Sequence, residues 1–206
     1  MTPNYPRVTH ILSATEDEKS RNRLRKWQNK MDRIHGANHA EQISEEARNN
    51  GTRFHLAIEK FFTEGKRPNY SDPNDYLEQR RWDNAEPHLR IIANEYLALE
   101  KEVISHKHQY LGHLDCLAWN NGRPIICDWK TSKRVKQKSW LTDYFLQATA
   151  YALAVDEEGQ LDPIEECRIY IFSPDKAQLF TLNPNDYREQ WLSRLEKYHA
   201  TQLVAV

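Results

Sequence analysis

GHLDCLAWNNGRPIICDWKTS, residues 112–132, is the stretch on which the reading of the chain turns. It divides into two alternating apolar segments, 112–119 and 123–129, on either side of Asn121-Gly122. That dipeptide suits the two positive-φ positions of a tight type I′ turn, so the stretch is expected to form a β-hairpin. With a two-residue loop, Asn120 pairs with Arg123, and counting outward places Asp115 opposite Asp128. Directly opposed side chains have Cβ atoms about 5 Å apart, where two carboxylates repel unless a positive charge lies between them. A divalent cation would supply that charge. Lys130, two residues beyond Asp128, falls on the same face of the strand. Two acids and a lysine thus converge on one point. Taken alone, Asp128 and Lys130 also read as an ordinary surface ion pair worth about 0–1 kcal/mol.

The 206 residues around this hairpin suffice for a substantial core. A single domain spanning 1–206 is expected, with 1–99 mainly helical and carrying His55, and 100–206 forming the sheet core. A hydrophobic content of 39% beside 29% charged residues, with no apolar run near the ~20 residues of a membrane span, predicts no transmembrane segment. The opening, MTPNYPRVTHILSATEDE, has neither a cationic region before an apolar core nor an Arg-rich, acid-poor character. A cytoplasmic protein of bacterial or phage type, without signal or transit peptide, is therefore expected. Cys116, Cys127 and Cys167 lack zinc-site spacing and a fourth thiolate for an iron-sulfur cluster, and they sit in apolar strands as small buried hydrophobes. A net charge of −1 gives no whole-molecule attraction to a polyanion, so any nucleic-acid site must come from local patches.

Upstream, residues 7–13 read as a short extended opening. Residues 16–34 read as an amphipathic helix with Leu24, Trp27, Met31 and Ile34 on one stripe. Its other face carries Lys19, Arg21, Arg23, Arg25, Lys26, Lys30 and Arg33, either a solvated surface or a basic wall beside a single strand of nucleic acid. A long helix is expected over 37–62, where Gly51 costs ~1 kcal/mol relative to alanine and calls for a packing or functional reason. His55 and Glu59 follow at four-residue steps on one helical face, a pattern that equally suits core or surface residues. A loop over 65–75 and a third helix over 76–99 lead to strands at 101–106, 109–119 and 123–129, with Glu102 in the first of them. Residues 130–139, KTSKRVKQKS, form a loop with five cationic side chains and no acidic one, either plain surface or a holder of phosphates. A helix over 141–155 places Gln147 and Tyr151 on one face. A second hairpin, 168–173 with 177–182, precedes a final helix over 185–201 capped by Asn183-Pro184.

The order Gly51-x-x-x-His55, Gly112-x-x-Asp115, Asp128-Trp129-Lys130-Thr131 and Gln147-x-x-x-Tyr151 resembles the RecB-like branch of the PD-(D/E)XK nuclease superfamily. More closely, the chain is similar to the mitochondrial genome maintenance exonuclease family and its bacterial and phage relatives. That similarity extends from Val8-Thr9-x-Ile11-Leu12 to Trp191-Leu192-x-Arg194-Leu195-Glu196-x-Tyr198. The resemblance implies an α/β fold, a restriction-endonuclease-like core of mixed β-sheet flanked by helices, with a helical N-terminal extension. It implies a metal site of His55, Asp115, Asp128 and the backbone carbonyl of Trp129, with Asp115, Asp128 and Lys130 as the catalytic set. Gln147 and Tyr151 would position substrate, together with Thr131, Ser132, Lys133 and Arg134, and Glu59 and Glu102 are candidate outer acids. Mg²⁺ or Mn²⁺ suits that donor set, without an iron-sulfur cluster, since the cysteine cluster of some RecB-like nucleases is missing.

The activity this implies is a metal-dependent exonuclease on single-stranded DNA ends or flaps, acting in replication, repair or recombination, as a monomer with no membrane partner. A structure-specific endonuclease, an RNA nuclease of the same fold and a catalytically silent nucleic-acid-binding domain are the alternatives.

Overall fold

A computed structural model describes residues 3–203 of the chain. Three helices come first: α1, Val8–Ala14, α2, Glu18–His35, and α3, His39–Glu64. After a 3₁₀ turn at Pro73–Asp75 follows α4, Tyr76–Ile92, and then the sheet begins with β1, Tyr96–Ser105, β2, Tyr110–Asn120, and β3, Arg123–Thr131. The crossover helix α5, Thr142–Glu158, leads to β4, Glu166–Phe172, and β5, Ala177–Leu182, and α6, Arg188–Leu203, closes the fold. The five strands lie in sequence order. Every pair is antiparallel except β3–β4, which is parallel because α5 carries the chain back across the sheet. No helix among the described residues is long and apolar enough to cross a membrane.

Asn121 and Gly122 both adopt positive φ, 52° and 77°, and Asn120 pairs with Arg123, so the hairpin register follows from the turn. Helices cover both faces of the sheet. On one side Leu114, Leu117, Ile126, Ile169 and Ile171 pack with α1, α5 and α6. On the other, Cys116, Ile125, Cys127, Trp129, Tyr170 and Phe172 pack under α3 and α4, led by Phe54, Ile58, Trp82 and Leu89.

Three elements depart from the sequence reading. Residues 7–13 are not extended: Val8–Ala14 is a helix, held by the buried Val8, Ile11 and Leu12 and by Arg194, which donates to the carbonyl of Leu12 and to Thr15 Oγ1. The helix expected over 76–99 ends at Ile92, and Tyr96 begins β1, with the N–H of Trp119 donating to the carbonyl of Glu95 at 2.7 Å. None of the residues of α2 is fully buried; this helix leans mainly on α3, and the N–H of Ala40 donates to Asp32 at 2.9 Å to fix the bend between them. Its stripe is therefore a partial contact, with Leu24 and Ile34 exposed.

Candidate active site

The site lies where the central hairpin forks. Backbone pairing between β2 and β3 stops at Cys116 and Cys127; beyond that point β2 stays with β1 and β3 with β4. A fork leaves backbone groups without strand partners, and buried ones must be satisfied. The N–H of Trp129 donates to Asp115 Oδ2 at 2.6 Å, and the carbonyl of Trp129 meets His55 Nε2 at 3.0 Å. The same fork thus draws an acid from β2 and a histidine from α3 to β3.

Alternation along β3 sends Ile125, Cys127 and Trp129 toward α3 and α4, and Ile126, Asp128 and Lys130 toward α5. Asp128 is 0% exposed, and Lys130 Nζ stands 2.9 Å from its Oδ1 and 2.7 Å from its Oδ2. The second contact is close in distance but out of line, so Oδ2 is buried with charge nearby and no directed hydrogen bond. Burial disfavours the Lys130 ammonium, but the carboxylates of Asp128 and Asp115 outweigh it and raise its pKa. Lys130 stays charged near neutrality, suited to electrostatic work rather than to acting as a base. Its ammonium also lies 5.2 Å from the ring centre of Tyr144.

Asp115 is 8% exposed, and burial followed by the charge of Asp128 pushes its pKa up to about 7, against the pull of Lys130, His55 and the Trp129 N–H. His55 Nδ1 lies 3.6 Å from Asp115 Oδ1 and 3.6 Å from Glu100 Oε1. Burial disfavours the His55 imidazolium, yet the bond to Glu100 and the charge of Asp115 raise its pKa overall. The residues of one half of the site therefore crowd negative charge together, an arrangement that a bound cation relieves.

Of the four expected metal-holding groups, three meet directly: His55, Asp115 and the Trp129 carbonyl. Asp128 is turned toward Lys130. The donor atoms that gather within 4.8 Å of one another are those of His55, Asp115 and Glu100. Glu59 lines a cleft of about 460 Å³ with Gly51, Thr52, His55, Leu56 and Glu100. Glu102 does not join it; it borders a separate depression with Glu157 and Glu158. Gly51 faces the cleft, and a Cβ there would meet only Thr131 Oγ1, at an ordinary 3.7 Å, so no packing demand within the chain explains the glycine.

Gln147 and Tyr151 meet as the helical spacing implies, Gln147 Nε2 donating to the Tyr151 hydroxyl at 2.7 Å. Burial and the charge of Asp128 push the Tyr151 phenol up to about 12. Its ring lies over Gly112, where a Cβ would sit 2.3 Å from Tyr151 Cε1. Among the loop residues, Ser132 is committed to its own turn, donating to the carbonyl of Arg134 at 2.6 Å. Lys133 reaches across to Glu46 of α3 at 3.4 Å, and Arg134 is exposed. Trp129 offers only its backbone: its ring is buried against Phe62, Tyr170 and Phe172 and has no face for a base.

Residues 24–205 match the PD-(D/E)XK nuclease superfamily. The chain belongs to that superfamily. Its members use divalent metal ions, and the restriction-endonuclease-like fold expected for it is the one described above. Among curated proteins the superfamily member is similar to the human mitochondrial genome maintenance exonuclease 1, with 26% identity over 200 residues, covering 94% of this chain and 58% of that protein. The mouse protein of the same name is 26% identical over 206 residues, covering 97% of this chain and 60% of the relative. The chain thus spans about three-fifths of the length of these relatives. Among solved structures, an alkaline exonuclease from Laribacter hongkongensis overlaps with a TM-score of 0.41 at 8% identity, over 75% of this chain and 80% of that one. A phage-related exonuclease from Haemophilus somnus 129PT gives 0.34 at 14% identity, over 74% and 82%.

Glu100 completes the neighbourhood without having been named for it by motif. Regular alternation would put Glu100 and Glu102 on one face. It fails here: Leu114 and Leu117, three apart, face the same core, and Glu100 itself has φ 47°. A break of this kind leaves no mark in residue order.

Proposed function

We propose that the protein is a Mg²⁺- or Mn²⁺-dependent exonuclease hydrolysing phosphodiester bonds of single-stranded DNA from ends or flaps, in replication, repair or recombination. The observation that carries this reading is the contact of Lys130 with the buried Asp128, one strand position from the fork where Asp115 and His55 meet. An imidazole nitrogen and carboxylate oxygens form a donor set compatible with these ions, and donor atoms of His55 and Asp115 lie within 4.8 Å of each other. His55, Asp115 and Asp128 would hold the metal beside the Trp129 carbonyl. When bound it would lower the pKa of a water and polarise the phosphoryl oxygens.

The remaining work falls to the chain itself. The Lys130 ammonium, fixed by Asp128, stabilises the negative charge that builds on the phosphorus oxygens, a preorganised electrostatic contribution. Gln147 and Tyr151 hold the wall behind Lys130, and Gly112 lets Tyr151 come close to β2. Thr131 and the cationic loop after it offer contacts for flanking phosphates.

Support for a single strand comes from α2, which has no buried residue and carries a row of cationic side chains. Beside it, Trp140, 59% exposed, borders a depression of about 580 Å³ whose lining mixes Arg23, Arg194 and Lys197 with Glu16, Asp17 and Asp143, and its ring is open to a base. Stacking on such an aromatic does not read sequence. The test is to offer closed circular single strands beside linear ones of the same sequence. Loss of linear DNA with circles intact supports the reading; rapid cutting of circles replaces it with an endonuclease.

A further inference from the structure

We infer that Glu100 is a metal-binding residue of this chain, acting with His55 Nδ1 and Asp115 beside the cleft that His55 and Glu100 line. The inference rests on the metal-dependent nuclease reading and adds to it a ligand that none of the motif residues supplies.

Three observations carry it. With its proton on Nε2, the nitrogen 3.0 Å from the Trp129 carbonyl, His55 donates to that carbonyl and turns the Nδ1 lone pair toward Asp115 Oδ1 and Glu100 Oε1. Three electron pairs then face one point, an arrangement that a proton on Nδ1 satisfies in the metal-free protein and that offers a divalent cation one imidazole nitrogen and two carboxylate oxygens. The second observation is Asp115 itself. It is more than nine-tenths buried, its Oδ2 is taken by the Trp129 N–H, and its Oδ1 receives no hydrogen bond among the described residues. The Trp129 bond thus fixes the carboxylate and leaves Oδ1 beside His55 Nδ1, within 4.8 Å of the donor atoms of His55 and Glu100. The third is the placement of Glu100. Its backbone lies in the left-handed region at φ 47° within a strand, and this turn swings the carboxylate to the cleft while Glu102, two residues on, faces away. Its other oxygen is steadied by His113 Nε2 at 3.3 Å, leaving Oε1 for the site.

The test uses the whole chain and Mn²⁺ alone, with affinity read by isothermal titration and by the paramagnetic resonance of the free ion. Wild type, Glu100→Gln, Glu100→Gly and Glu102→Gln are compared, each checked by melting temperature. Glu100→Gln keeps shape and removes charge; Glu100→Gly also relaxes the positive φ, so it should melt within a few degrees of wild type. The expected result is a 10- to 100-fold loss of Mn²⁺ affinity in both Glu100 variants, with Glu102→Gln unchanged. Affinity within about twofold of wild type in either folded Glu100 variant overturns the assignment while leaving the nuclease reading in place. Wild type that takes up no Mn²⁺ by either method overturns both together.

Discussion

Gly112→Ala tests the packing of α5 on β2 with a single methyl group. The added Cβ would lie 2.3 Å from Cε1 and 2.8 Å from Cδ1 of Tyr151, whereas ordinary contacts begin near 3.4 Å. The ring therefore has to retreat by roughly 1 Å, into a core where Tyr151 is 2% exposed and its hydroxyl is held by Gln147. Overpacking of this kind costs about 1–3 kcal/mol. The φ of Gly112 is not in the left-handed region, so the alanine also gains about 0.5–1 kcal/mol of backbone entropy in its favour. The clash exceeds that gain, and the net loss lowers the melting temperature at about 2–4 °C per kcal/mol for a chain of this size. The sign should reverse once the ring is gone: in a Tyr151→Ala background the same substitution becomes neutral or mildly stabilising, while in Tyr151→Phe it costs as much as in wild type. Urea unfolding at low temperature gives all the corners of the cycle with a native baseline even in the weakened background. Equal losses in the wild-type and Tyr151→Ala backgrounds would refute the steric account.

Three further outcomes follow from the site. The Asp115 carboxyl, pushed up to about 7 from an ordinary 3.8, means the metal-free fold binds more protons than the unfolded chain between pH ~4 and ~7, so its stability falls as pH rises through that window. Asp115→Asn should abolish cutting yet raise the melting temperature of the metal-free protein at pH 8, by up to about 4 kcal/mol in stability, with no gain at pH 4; differential scanning calorimetry at both pH values checks it. Lys130→Met leaves Asp128, 0% exposed, without its cation, which should cost about 3–5 kcal/mol in chemical denaturation, and adding Asp128→Asn should recover most of that loss. Trp140→Ala should leave stability within about 0.5 kcal/mol, since the ring is 59% exposed, but weaken binding of a single-stranded oligonucleotide by about 1–3 kcal/mol in fluorescence anisotropy.

The hairpin was legible because its signals are local: Asn121-Gly122 can supply two positive φ angles, and the register, hence the approach of Asp115 to β3, follows by counting. Helical spacing brought Gln147 to Tyr151 for the same reason. What escaped was set by distant contacts. Val8, Thr9 and Ile11 favour a strand by local preference, and the seven-residue helix they form depends on burial against α5 and α6 and on Arg194, far along the chain. The apolar spacing of α4 continues through Ile92 to Tyr96, so nothing local marks where the helix stops and β1 starts. Trp129 stands between two site residues, yet strand alternation buries its ring. Glu100 was hidden by the break in that alternation, a backbone event with no residue signature.

The central claim is tested most directly by end-labelled linear single-stranded DNA incubated with Mg²⁺, with Mn²⁺ and with a chelator, wild type beside Lys130→Ala. The account predicts that the label is released with either metal, that chelation stops it, and that the alanine variant, shown to be folded, loses it by at least about 100-fold. Wild-type protein that binds the strand and leaves it intact with both metals would contradict the account.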